Sequence, residues 1–182
     1  MKRAVIEPAV LAGAALDELK EWLAISGPRD DAGLTALLRV ALETCEAFSG
    51  LMPLAATCEE VLPATPCWQW LATRPVKAVM LVEGIPAEGA RFAIPAEDHA
   101  IDLDADGGAM VRLVRQGAAG RVAVRFTAGL APSWSELPDG LRHGVLRLAA
   151  HHYREREASS ERSTPPAAVA ALWRPWRRMR VA

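Results

Sequence analysis

The residues best equipped for chemistry in this chain fall into a few short clusters. Asp102-x-Asp104-x-Asp106-Gly107 begins like a calcium-binding loop. Such a loop needs a bidentate glutamate at its twelfth position, and that position here is Leu113. An aspartate-rich β-turn that needs no metal is the expectation. His151 and His152 are adjacent in a helical stretch, where neighbouring side chains point about 100° apart and cannot chelate one ion together. His152 is read as a core or interface residue and His151 as a surface one. His99 and His143 have no Cys or His partner at ligand spacing. The carboxylate pairs Glu59-Glu60 and Asp30-Asp31 read as caps and solvated surface, and Ser133 and Ser135 flank Trp134 without the context of an activated nucleophile. Cys45, Cys58 and Cys67 are odd in number and lack CxxC spacing, so they read as buried thiols in a reducing compartment. No phosphate-binding or dinucleotide fingerprint is present. The chain is therefore expected to be no enzyme, with no catalytic residues, no cofactor and no metal.

One cluster stands apart. Trp173, Arg174, Trp176, Arg177, Arg178 and Arg180 place two tryptophans and four arginines within eight residues. One reading is a solvated tail with a tryptophan folded back on the core. The favoured reading is a partner-docking peptide, because Trp and Arg dominate interface hot spots. Arginines would also attract nucleic-acid phosphate, but the net charge of −1 offers no basic platform to extend such a site.

The elements that position these residues follow from periodicity. Leu16, Leu19, Trp22 and Leu23 gather on one face of a first helix, which Ser26-Gly27-Pro28 ends. Asp30 or Asp31 then caps a second helix with the apolar stripe Leu34, Leu37, Leu38, Ala41, Leu42, Cys45 and Phe48, terminated by Gly50. The two form an antiparallel pair over 14–49. Between Thr57 and Thr127 prolines and glycines punctuate short apolar stretches at Cys67–Ala72, Val76–Glu83, Arg91–Ile94, Met110–Val114 and Arg121–Thr127. In the last, Val122, Val124 and Phe126 alternate with Arg121, Ala123 and Arg125, the period of a half-buried strand. Helix returns after Pro138 with Leu141, Val145, Leu148, Ala149 and His152 on one face and Arg142, Arg147 and Arg154 on the other. After a polar linker at Ser159–Ser163, Thr164-Pro165-Pro166 opens a short helix at Ala167–Trp173.

With 51% hydrophobic residues in 182, the chain can build a real core. Its apolar runs are too short for a membrane span. Lys2 and Arg3 precede an apolar run, but Glu7 and Pro8 break it, so a cytoplasmic chain is expected over a secreted one, with the N-terminal residues leading straight into the first helix. The expected fold class is α+β: a mainly α-helical bundle with an inserted small antiparallel β region and an extended C-terminal tail. The boundaries are 1–56 for the N-terminal helices, 57–130 for the β insertion, 131–172 for the C-terminal helices and 173–182 for the docking tail, all one domain with an insertion.

The segments LDELKEWLAI, DDAGLTALLRVALETCEAFSG, RVAVRFTAGL, LPDGLRHGVLRLAAHHYREREA and TPPAAVAALWRPWR, in that order, resemble the head–tail connector proteins of long-tailed phages and gene transfer agents, also called adaptor or head-completion proteins. The FTAG strand end, the helix from Pro138 to Tyr153 and the closing PP…WRPWR stretch are the most specific. The resemblance implies a virion protein made in the bacterial cytoplasm, whose copies, typically twelve, form a ring beneath the portal. That ring would extend the DNA channel without binding sequence specifically, and would dock the next neck, stopper or tail component, with tail-facing contacts assigned to the β region. It also implies that the C-terminal segment reaches the portal, which makes Trp173, Arg174, Trp176, Arg177, Arg178 and Arg180 the expected portal-docking residues. The alternative function is a small nucleic-acid-binding module using the Arg-rich tail.

Overall fold

The computed structural model describes residues 3–11, 13–155 and 165–177. The chain contains strands β1 (Arg3–Glu7), β2 (Ala56–Pro63), β3 (Gln69–Trp70), β4 (Val76–Ile85), β5 (Phe92–Ala93), β6 (His99–Leu103), β7 (Ala109–Leu113) and β8 (Arg121–Ala128). Its helices are α1 (Gly13–Leu23), α2 (Asp31–Ser49), α3 (Asp139–Glu155) and α4 (Ala167–Trp173). They divide into two compact units: a β unit built from 1–9 and 55–129, and a helical unit built from 10–54 and 130–182.

This corrects the expected bundle with a small β insert. The β unit carries two antiparallel sheets, one of five strands in the order β1-β2-β8-β4-β5 and one of three in the order β3-β7-β6. In the five-stranded sheet the physical cause lies in two stretches whose strand character was not read. Residues 3–7 do not lead into a helix; they pair with β2, with Arg3 opposite Glu60 and Val5 opposite Cys58. In β2 itself Cys58, Glu60 and Leu62 alternate inward, and the glutamate at a core position disguises the period of two. The hydrophobic centre of this unit is β8, where Val122, Val124 and Phe126 are fully enclosed and every residue from Arg121 to Ala128 is matched to β2. Five apolar stretches read from the sequence do become strands, shortened at Gln69–Trp70 and Phe92–Ala93.

In the helical unit α2 packs on α3, and α4 packs on α3. The buried line of α2 runs Leu34, Leu38, Ala41, Cys45, Ser49, while Leu37, Leu42 and Phe48 lie half-buried on its margins. Gly50 ends the helix in the left-handed region at φ 75°, its N–H donating to the Glu46 carbonyl 2.8 Å away. Asp30 holds the N-cap position, but its carboxylate accepts from the Tyr153 hydroxyl instead of capping, and Asp31 accepts from Lys20 Nζ at 2.7 Å. From α3, Leu141, Val145, Leu148 and Ala149 close the core together with Val169 and Trp173 of α4. Among the described residues no helix is long and apolar enough to cross a membrane.

Candidate functional site

The sequence's chemical clusters come apart in the fold. Asp104 closes the β6–β7 turn: its Oδ1 accepts from Gly108 N–H at 2.6 Å, and its own carbonyl accepts from Gly107 N–H. The run is a β-turn in which the Asp104 carboxylate is engaged by backbone, with Arg74 Nη1 4.0 Å from its other oxygen. Among the described residues no three potential ligands gather around one point. His151 Nε2 lies 2.9 Å from Glu155 Oε2, and His152 beside it is half-buried. The His152 imidazole is held below its ordinary pKa of 6.5, first by burial and then by the neighbouring His151, with Glu155 pulling the other way. His143 stands edge-on to the exposed Trp22 ring at 5.2 Å. Ser133 Oγ bonds Glu136 on the surface at 2.7 Å. Cys45 is sealed in the helical core, where burial aided by Glu46 pushes its thiol up to about 12 and leaves it inert.

Glu59 and Glu60 are neither caps nor solvated surface. Glu60 is fully buried and accepts from Ala72 N–H at 2.8 Å, Thr73 N–H at 2.9 Å and Thr73 Oγ1 at 2.6 Å. One carboxylate thus pins the β3–β4 connection to the middle of β2. Glu59 lies between Arg91 (2.9 Å) and Arg125 (3.4 Å). Both are structural clamps, since every oxygen of Glu60 is spent on the loop it holds.

The closing cluster is split by the fold. Trp173 is fully buried; its indole lies over Gly144 of α3 and donates to the Leu141 carbonyl at 3.3 Å, and its ring tilts against Phe48 at 6.0 Å. It is the tryptophan folded back on the core. A 3-10 turn at Arg174–Trp176 follows directly, leaving Arg174 and Arg177 exposed and Trp176 half-buried. Arg177 lies over the Phe48 ring at 5.4 Å. Arg178 and Arg180 lie outside the described residues. On the arginine face of α3, Arg142 is engaged by Asp139 at 2.9 Å and Glu18 at 3.9 Å, while Arg147 and Arg154 are exposed.

Two surface features escaped the sequence reading. Trp68 and Trp70 are exposed, and each ring is covered by a guanidinium, Arg112 over Trp68 at 4.7 Å and Arg74 over Trp70 at 4.6 Å. Gln69 flanked by two tryptophans, with Met110 and Arg112 alternating on the partner strand, was the available signal. The second feature is apolar exposure at both ends of the five-stranded sheet, Val5 and Ile6 on β1 against Met80 and Phe92 on β4 and β5.

No protein-family model and no curated protein matches the chain. Among solved structures it is similar to a chain in the neck of an empty GTA particle computed with C6 symmetry, at 27% identity and TM-score 0.78, covering 100% of this chain and 98% of that one. It is similar to a chain in the virion of a native gene transfer agent particle, at 27% identity, TM-score 0.76 and the same coverage. A third similar chain lies in the neck of a native GTA particle computed with C12 symmetry, at 28% identity and TM-score 0.73, covering 98% of this chain and 97% of that one. These likenesses run through both units and bear out the resemblance to head–tail connector proteins read from the sequence.

Proposed function

We propose that the chain is a structural component of the neck of a tailed phage or phage-like particle, an adaptor whose copies form a ring beneath the portal and dock the next neck or tail component. The observation that carries this reading is end-to-end likeness to neck chains, at TM-scores of 0.73–0.78 with almost no residue of either chain left over. Necks treated with C6 and C12 symmetry support a cyclic arrangement, with twelve copies as the working number. The role is structural and not catalytic: the polar groups that could do chemistry are spent on turns, clamps and ion pairs. DNA passes through the ring, and a nearly neutral chain suits a wall that must not grip phosphate.

Portal docking falls to the closing peptide, with its residues in two roles. Trp173 is the anchor that fixes the peptide's origin on α3, and Arg174, Trp176, Arg177, Arg178 and Arg180 are the groups that meet the portal. Truncation after Trp173 tests this while sparing the core. Truncated protein should stay folded but lose binding to purified portal, and cells making it should accumulate filled heads without tails. Unchanged portal affinity would place docking elsewhere. Electron microscopy of the full-length protein on its portal should show a closed multi-copy ring, and one bound copy per portal ring would end the adaptor reading.

A further inference from the structure

We propose that neighbouring copies in the ring join sheet to sheet, β1 of one copy lying antiparallel along the Lys77–Leu81 stretch of β4 in the next. The proposal rests on the ring reading above and names the surfaces that build it. A cyclic contact is heterologous, so each copy must present two different surfaces that fit one another. The five-stranded sheet supplies two such surfaces at the ends of its strand order. Among the described residues β1 pairs on one side only, with β2. On the far side β5 is two residues long and covers β4 only around Val82–Gly84, leaving 77–81 without a strand beside it.

Both ends are apolar where a surface strand should be polar. Val5 and Ile6 are 44% and 45% exposed, and Met80 and Phe92 are 50% and 38% exposed. Strand direction also agrees. The long strands β1, β2, β8 and β4 alternate, so β1 and β4 run opposite ways. A twelvefold ring turns each copy by only about 30° from the last, which preserves that sense, so the seam is antiparallel like every pairing within the sheet. Charge follows the same geometry: an antiparallel lie brings Glu7 toward Lys77 and Arg3 toward the Glu83 end of β4. Finally, β1 is irregular between Val5 and Glu7, and β4 is irregular at Lys77 and at Met80. Bulges of this kind twist an edge and keep the ladder short, which admits one neighbour at a set angle and discourages open-ended stacking.

The test is covalent capture in assembled particles. Ile6→Cys and Ala78→Cys, which face each other in the register that sets Glu7 against Lys77, are combined in a Cys67→Ser background, since Cys45 and Cys58 are buried and Cys67 is exposed. Particles are purified, oxidised and run on a non-reducing gel. The double variant should give a ladder of multimers, and each single variant no species beyond a dimer. Particles that carry the ring by microscopy but give no ladder would overturn the edge pairing and leave the ring reading intact. Particles with no ring would remove both. A charge exchange covers the case in which cysteines disturb assembly: Glu7→Lys alone should reduce incorporation, and adding Lys77→Glu should restore it. Incorporation unaffected by Glu7→Lys, or no rescue by the second change, counts against the seam.

Discussion

Replacing Gly144 by alanine should destabilise the helical unit, although the same change normally stabilises a helix. A Cβ at Gly144 would overlap the Trp173 indole at Nε1, Cε2 and Cδ1. Glycine in a helix interior is about 1 kcal/mol worse than alanine, so the local gain has that size. Against it stands overpacking of a closed core, typically about 1–3 kcal/mol, and the strained indole donor to the Leu141 carbonyl, about 1 kcal/mol more. The net expectation is a loss of about 1–3 kcal/mol. Gly33 in α2 is the internal control, since a Cβ there meets nothing within 4 Å and should stabilise by up to about 1 kcal/mol. Urea melts of the two variants, followed by helical circular dichroism, should move in opposite directions from wild type. If Gly144→Ala is as stable as Gly33→Ala, the packing of Trp173 on α3 is wrong, and with it the anchor assigned to the closing peptide.

Four further outcomes are expected. Glu60→Ala strands three donors, Ala72 N–H, Thr73 N–H and Thr73 Oγ1, inside the β unit and should cost about 3 kcal/mol or more in a denaturant melt, whereas a surface-like loss below about 0.5 kcal/mol would refute the clamp. Leu38→Ala and Leu148→Ala each empty a fully buried site and should cost about 2–5 kcal/mol; unchanged melting temperatures would contradict the α2–α3 core. His152 has a folded pKa below its unfolded value, so the unfolded chain takes up its proton first and stability should fall as pH drops from about 6.5 through the folded pKa. His152→Gln should flatten that decline, and parallel wild-type and variant curves would dismiss it. Wild type and the Asp102→Asn, Asp104→Asn variant should both be indifferent to calcium; a calcium-dependent rise in wild-type melting temperature would reveal an ion site.

How legible each part was depends on where its determinants lie. The helices α2, α3 and α4 were readable because stripe, proline and glycine signals all sit within the helix or one residue from it. The Ala167–Trp173 helix carries its own Pro166 start, and α2 its own Gly50 stop. Strand β1 was not readable, because all five residues are exposed and only pairing with a segment some fifty positions later makes them a strand. Glu60 hid β2 for a related reason: a buried carboxylate looks polar until its partners at Ala72 and Thr73 are known. In the closing cluster, composition flagged the Trp/Arg stretch, but only Gly144 and Leu141, about thirty residues away, decide that Trp173 faces inward while Arg174 and Arg177 stay outside.

The pairing of β1 with β2 also sets an order of events while the chain is being made. Arg3–Glu7 leaves the ribosome well before its partner strand, which follows only after the whole α1–α2 stretch has been made. Closing so long a loop costs conformational entropy, and a lone two-stranded ribbon is marginal in water. The ribbon becomes worth forming when β8 arrives at Arg121–Ala128 and covers the other side of β2. Until then β1 waits as an unpaired segment, while α2 waits in turn for α3. Each unit is therefore begun before the other is finished. A nascent chain stalled before about residue 128 would hold two incomplete cores at once, the state in which a chaperone has most to cover.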